Sequence, residues 1–295
     1  MPRPTLFGDR TTPLLEARIG AFYRNLPKAL AGEEEPIHQV RVAGRRLRTV
    51  LPVIVPKPDG RRARRAVGLL REIVRVAGRS RDLDVCVQLL DERLPARGTR
   101  TPEEALLIGR LKAARSRSRS QLASSLLDLE IAALRRDLRE IVTRGGEEIF
   151  SVLLRIKQER QEGGVEILAQ LDEMSGRYDA AGLHRLRRRV RRMRYMSEVA
   201  AELRQEPIDA PRRLKEVQDQ LGLIHDAHLL ALWLGARSTA AAKAGRPALA
   251  SAARRWESIF ETAGRAHHRA FLQGDPATSI ARALALPSEL GTAAG

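Results

Sequence analysis

One basic, amphipathic segment occurs twice in this chain, and that repeat constrains the fold more than any other feature of the sequence. The segment from Ile37 to Arg48 returns 146 residues later as the segment from Leu183 to Arg194. One histidine and four arginines recur in register, at positions 38/184, 41/187, 45/191, 46/192 and 48/194. Further along, the segment 70–90 resembles 214–234 at an offset of 144 residues. Two ordered matches with nearly equal offsets predict an internal duplication.

The apolar residues of both copies recur in steps of three and four, which predicts helices with one buried face. The first copy has this apolar seam at Ile37, Val40, Gly44, Leu47, Leu51 and Ile54. The second copy has it at Leu183, Leu186, Val190 and Met193. Strand signals are nearly absent, and aromatic residues make up only 3% of the chain. We therefore predict an all-α fold of eight or more helices with short connections.

Helix ends can be predicted from capping residues, proline and glycine. Three pairs place a capping side chain before a proline and predict helix starts: Thr12-Pro13, Thr101-Pro102 and Asp275-Pro276. Glu104 completes a capping box with Thr101. Breaks are predicted near Gly32, Pro56 to Gly60, Pro95 to Thr99, Gly145-Gly146, Gly163-Gly164, Gly176, Glu206-Pro207 and Gly245 to Pro247.

The duplication predicts two domain-sized halves, 11–145 and 146–287, with tails at 1–10 and 288–295. A chain of 295 residues with 43% hydrophobic residues is long enough to bury a core. Cys86 is the only cysteine, which excludes an intrachain disulfide and indicates a reducing compartment. No secretory signal or long apolar window is present, so we expect a cytoplasmic protein without a membrane partner.

The charge balance requires an anionic partner. The formal net charge is +17, and 47 of the 53 basic residues are arginine. Nucleic acid, anionic lipid and condensed phosphate are candidates, and arginine grips phosphate oxygens with a planar fork. High genomic GC content also enriches arginine, so the placement of the arginines has to decide between the two explanations.

That placement is a stripe beside each apolar seam. His38, Arg41, Arg45 and Arg48 follow the seam displaced by one residue, about 100° around the helix. The second stripe consists of His184, Arg187, Arg191 and Arg194, and neighbouring arginines widen both stripes at Arg46, Arg188 and Arg192. A third basic element presents Arg115 and Arg119 four residues apart. An isolated basic run is usually a solvated face, but recurrence in register favours a binding role.

These motifs resemble the CHAD family, the conserved histidine α-helical domain, over about 11–287. The resemblance rests on His38-x-x-Arg41-Val42-x-x-Arg45-Arg46-Leu47-Arg48, its repeat at His184, and Arg81-Asp82-Leu83-Asp84-Val85. It implies two four-helix bundles related by a pseudo-twofold axis, whose basic helices line a groove or pore that binds inorganic polyphosphate. Several family members are associated with polyphosphate granules. The second half departs from the pattern, since His225 replaces Arg81 and His228 replaces Asp84, and we assign these two residues no role.

Together the residues and the resemblance predict a polyphosphate-binding protein of the cytoplasm, located at polyphosphate granules. We expect no catalytic residues, no metal and no cofactor, because the stripes lack the carboxylates that phosphoryl transfer normally needs to hold a metal. We expect sulfate or phosphate ions at the stripes in crystals. The alternative is a nucleic-acid-binding protein that contacts only the backbone, since few aromatic residues are available for stacking bases.

Overall fold

Helices account for nearly all of the regular structure in the computed structural model, which describes residues 10–58 and 60–286 except for the side chain of Leu127. Within these residues there are ten α-helices, one short 3₁₀ helix at Arg97–Thr99 and no strand. The helices are α1 (Thr11–Leu30), α2 (Glu34–Ile54), α3 (Arg61–Arg93), α4 (Pro102–Leu127), α5 (Ile131–Thr143), α6 (Ile149–Met174), α7 (Ala180–Arg204), α8 (Asp209–Lys243), α9 (Pro247–Gln273) and α10 (Pro276–Leu284). The all-α prediction is confirmed. The predicted tails, 1–10 and 288–295, lie outside the described residues apart from residue 10.

Two of the three predicted helix starts have the expected caps. At α4 the Glu104 amide donates to Thr101 Oγ1 over 3.2 Å, and the Thr101 amide donates to Glu104 Oε2 over 3.1 Å. At α10 the Asp275 carboxylate accepts from the backbone amide three residues on, over 3.1 Å. The third start differs, because α1 begins one residue before Thr12. Thr12 instead accepts a hydrogen bond from the Gly146 amide over 3.0 Å, which ties α1 to the loop after α5.

The predicted break at Gly163-Gly164 is wrong, because α6 continues through both glycines. The reason is packing. A Cβ atom on Gly163 would lie 2.8 Å from the Met193 side chain of α7, so the glycine leaves room for that side chain. The other predicted breaks coincide with helix ends or with connections between helices.

The chain divides into two compact units, each assembled from three segments. Unit 1 comprises Met1–Arg81, Arg119–Val165 and Arg192–Arg212, and unit 2 comprises Asp82–Ser118, Glu166–Arg191 and Arg213–Gly295. These units do not coincide with the predicted halves 11–145 and 146–287, since each half contributes segments to both. Every boundary falls inside one of five helices that are 25 to 35 residues long. At 1.5 Å per residue such helices extend about 40–50 Å, which exceeds the ~30 Å of a small domain. The relation between the halves, a pseudo-twofold duplication, stays a prediction.

The apolar seams form the buried faces of α2 and α7, as predicted. In α2 the seam residues Ile37, Val40, Leu47, Leu51 and Ile54 have 0% exposure, and in α7 Leu183, Leu186, Val190 and Met193 have at most 3%. Gly44 interrupts the α2 seam where α1 and α3 pack against it. A Cβ atom on Gly44 would lie 2.8 Å from Val74 of α3 and 3.5 Å from Phe22 of α1.

We predict that Gly44→Leu lowers the free energy of unfolding by about 1–3 kcal/mol, because a side chain there overpacks the contact with Val74. Urea denaturation provides the measurement. The control is Gly20→Leu, at an exposed position of α1 where an added Cβ atom would have no neighbour within 4 Å. That control should cause no loss, since leucine has a higher helix propensity than glycine. Equal effects of the two substitutions would contradict the packing role of Gly44.

Candidate functional site

The first basic stripe lies on α2, and its side chains are half-buried because they border the seam. His38, Arg41, Arg45 and Arg48 all have intermediate exposure. Gly78 of α3 faces Arg41, and a Cβ atom there would lie 3.5 Å from Arg41 Nε. That distance is ordinary van der Waals contact, so the Arg41 guanidinium packs against α3 at this glycine.

The end of this stripe meets two arginines from other helices of unit 1. Arg81 of α3 donates from Nη1 to Glu34 Oε1 over 3.2 Å. Arg119 of α4, a predicted site residue, donates from Nη2 to Glu34 Oε2 over 2.7 Å. Glu34 therefore bridges two helices with one carboxylate. The sequence did not identify Glu34 and Arg81 as neighbours of Arg119, because contacts between distant helices leave no periodic signal.

Arg46 and Arg194 are held by a carboxylate, so they differ from the simple stripe residues that the sequence predicted. Arg46 donates from Nε and Nη2 to the two oxygens of Glu198, over 2.9 and 3.3 Å. Arg194, only 9% exposed, places Nε 3.8 Å from Glu198 Oε1. Both guanidinium carbons also lie over the Tyr195 ring, 5.7 and 4.8 Å from its centroid. Arg192 forms a separate exposed pair with Glu159. The contacts with Glu198 and Tyr195 give Arg46 and Arg194 a structural role within unit 1.

The second stripe lies on α7, and four of its predicted residues belong to unit 2. They are His184, Arg187, Arg188 and Arg191. Gly222 of α8 faces Arg187 here, and a Cβ atom there would lie 3.5 Å from Arg187 Nη2. This contact matches that of Gly78 with Arg41, and both members are equivalent in the sequence repeat. Arg187 Nε is buried without a hydrogen-bond partner among the described residues, whereas Arg188 is exposed.

The third basic element is divided between the two units. Arg115 lies in unit 2 with intermediate exposure, while Arg119 lies in unit 1 on the same helix, α4. Lys112, one turn before Arg115, lies 3.3 Å from the Asp91 carboxylate. The sequence correctly placed Arg115 and Arg119 on one helix, but it did not predict that they belong to different compact units.

His184 has an unusual partner, the second-half residue His225 that replaces the expected arginine. The two Nδ1 atoms lie 3.1 Å apart, and the ring centroids are 4.4 Å apart. One imidazole must donate and the other must accept, so at least one ring is neutral in this pair. The sequence marked His225 as a departure from the repeat but indicated no partner for it.

Both stripe histidines are harder to protonate than free histidine. Burial lowers the pKa of His184 below 6.5, and Arg187, Arg188 and Arg191 lower it further, against the opposing charge of Asp82. Burial and then Arg81 lower the pKa of His38 in the same way, against the opposing charge of Glu35, and Arg41 and Arg45 lower it further. A free imidazole gains its charge just below neutral pH. Their environment moves that protonation to more acidic pH.

Other chemistry finds little support in the described residues. No three His, Cys, Asp or Glu side chains within 10–58 and 60–286 are grouped closely enough to hold a metal ion. Burial raises the pKa of the Cys86 thiol to about 12, so it is not a thiolate at neutral pH. In the same part of the chain, no helix has both the length and the apolar character that crossing a membrane requires.

Comparison with known proteins agrees with this architecture. A family model described as the CHAD domain matches residues 13–235. A solved structure, the crystal structure of the CHAD domain from the plant Ricinus communis, superimposes with a TM-score of 0.65 at 20% sequence identity. The match covers 92% of this chain and 93% of that one, and at this identity it shows the fold alone. No curated protein matches the chain.

We predict that His184→Gln makes the stability less dependent on pH. A histidine whose folded-state pKa is lowered binds fewer protons when folded than when unfolded, so the free energy of unfolding falls as pH drops below about 6.5. Removing His184 removes one such group. Urea denaturation at several pH values between about 7.5 and 5.5 should therefore give a shallower slope than wild type. Arg185→Gln, at the exposed neighbouring position, should keep the wild-type slope, and an unchanged slope for His184→Gln would contradict the assignment.

Proposed function

The chain belongs to the CHAD domain family, and on that premise we propose that it binds inorganic polyphosphate through the basic faces of α2 and α7. The observation that carries the proposal is the recurrence of one arrangement on both helices. In each, a histidine and arginines border a buried seam, and the first arginine rests on a helical glycine, Gly78 or Gly222. Solvation alone does not require the same arrangement twice.

The physical chemistry of the stripes supports a phosphate ligand. Like charges spaced three and four residues apart on a helix repel one another, and a chain of phosphates relieves that repulsion. Arg187 places a half-buried, planar guanidinium beside the seam, and phosphate oxygens accept hydrogen bonds from such a fork. The net charge of +17 supplies the long-range attraction for a polyanion.

We propose binding without turnover, in the cytoplasm and at polyphosphate granules. The stripes combine arginines with histidines, and they lack a cluster of carboxylates that could hold a metal for phosphoryl transfer. The granule location rests on the family resemblance alone. Release of orthophosphate by the pure protein with a divalent metal would contradict the absence of turnover.

Nucleic acid is the second candidate, and competition separates it from polyphosphate. We expect long-chain polyphosphate to displace labelled duplex DNA or RNA from the protein at a much lower phosphate concentration than the reverse displacement needs. Fluorescence anisotropy at fixed salt measures both directions, since the affinity of such complexes depends strongly on salt. The opposite ranking would favour a nucleic-acid-binding protein that contacts the backbone.

We predict that replacing four stripe arginines with glutamine weakens polyphosphate binding more than about a hundredfold, because each makes charge-assisted hydrogen bonds to phosphate. The replaced residues are Arg41, Arg45, Arg187 and Arg191. The slope of the logarithm of the affinity against the logarithm of the salt concentration should also flatten by roughly three, because each charge removed lowers it by about 0.7–0.9. Isothermal titration calorimetry at several salt concentrations provides both values.

The matched control removes the same charge from exposed positions outside the stripes, two in each unit. Its four glutamine substitutions are at Arg24, Arg64, Arg213 and Arg254. We expect this control to lose only a few-fold in affinity. Similar losses in the two variants would show that net charge, rather than the stripes, determines binding.

A further inference from the structure

The α2 stripe begins with an acid. Glu34 lies four residues before His38, so positions 34, 38, 41, 45 and 48 follow one continuous series of alternating steps on a single helix face. Every other member of that series is a histidine or an arginine. The second copy has Ala180 at the position equivalent to Glu34 and His225 at the position equivalent to Arg81. The acid and the arginine that it contacts are thus both absent from the second copy.

The geometry around Glu34 is that of an anion between two cations. Each carboxylate oxygen accepts from a different guanidinium, with donor to acceptor distances of 3.2 Å for Arg81 and 2.7 Å for Arg119. Arg81 also lowers the pKa of the His38 imidazole, next in effect after burial, which places a third basic group close by. Two forks from separate helices converging on one pair of oxygens form an arrangement that suits a phosphoryl group equally well.

Exposure indicates which partner of this cluster can move. The Glu34 side chain is 48% exposed, whereas the Arg81 and Arg119 side chains are each 24% exposed. The arginines are therefore held by their surroundings, while the carboxylate lies on the solvent side. Rotation of Glu34 into water would leave both guanidinium groups in place and able to bind another anion.

We infer that Glu34 is a displaceable internal anion, and that a phosphoryl group of the bound polyanion takes its place between Arg81 and Arg119. The inference rests on the proposed function and deepens it. Ion pairs this exposed contribute little to stability, so the carboxylate leaves at small cost. A phosphate chain already anchored on Arg41 and Arg45 presents its next phosphate at high effective concentration, which drives the exchange. A single orthophosphate lacks that advantage, so Glu34 favours chains over single ions.

The test compares Glu34→Gln with Glu35→Gln in the full chain, with long-chain polyphosphate as the ligand. Glu35 is the matched control, because it is the adjacent acid and also acts on His38, but it accepts a hydrogen bond from Gln39 instead of from an arginine. We expect Glu34→Gln to bind about tenfold more tightly than wild type. The slope of its log affinity against log salt concentration should steepen by about 0.7–0.9, the contribution of roughly one charge. Glu35→Gln should change the affinity less than about twofold.

If Glu34 only positioned the two arginines, Glu34→Gln would weaken polyphosphate binding, because arginines that are no longer held in place bind phosphate less well. Equal or weaker binding by Glu34→Gln, or equal gains in the two variants, would overturn the inference. A double-mutant cycle adds a second readout: the gain from Glu34→Gln should vanish in an Arg81→Gln/Arg119→Gln background. Wild-type protein that does not bind polyphosphate would reject the proposed function itself, whereas normal wild-type binding with no gain rejects only the displacement.

Discussion

The repulsion between guanidinium groups that border a buried seam is the constraint on which the rest of this structure depends. Arg41, Arg45 and Arg48 are only partly exposed, because their helix face borders the core, so water screens their charges incompletely. Charges held at such spacing raise the free energy of the folded state unless something opposes them. The chain limits that cost in two ways, by placing carboxylates opposite some arginines and by keeping histidines in the stripes neutral. The contacts of α2 and α7 include both the carboxylate partners and the histidines with lowered pKa.

The carboxylates divide the arginines into two groups with different roles. Glu198 forms ion pairs with Arg46 and Arg194, and its own side chain is only 17% exposed. Removing this carboxylate would leave a largely buried positive charge without its partner. Glu34 grips Arg81 and Arg119 from the solvent side and can leave them. Ion pairs of the same kind therefore stabilise the fold at Glu198 and form an exchangeable position at Glu34. The two carboxylates differ in their burial.

Local sequence rules predicted the parts of this protein that depend on neighbours along the chain. The seams, the capping box at Thr101 and the glycine breaks at helix ends follow from periodicity and backbone preference. Contacts between distant helices could not be predicted this way. Arg46 meets a carboxylate 152 residues away, and Gly163 predicts a break unless the packing of Met193 is known. The compact units also differ from the repeated halves, because helices of 25 residues or more extend beyond a single small core.

The histidines then have a role that their charge does not explain. With pKa values lowered by burial and by nearby arginines, His38 and His184 enter the stripes as neutral groups that can donate or accept a hydrogen bond. The phosphate chain that we propose as the ligand would add negative charge beside them and raise these pKa values again. By linkage, the protein takes up protons when it binds a ligand that raises a pKa. The affinity for such a ligand therefore increases as pH falls. In α7 the His184 ring contacts a second imidazole, since His225 stands where the first copy has Arg81, so the two stripes differ in the group that faces their histidine.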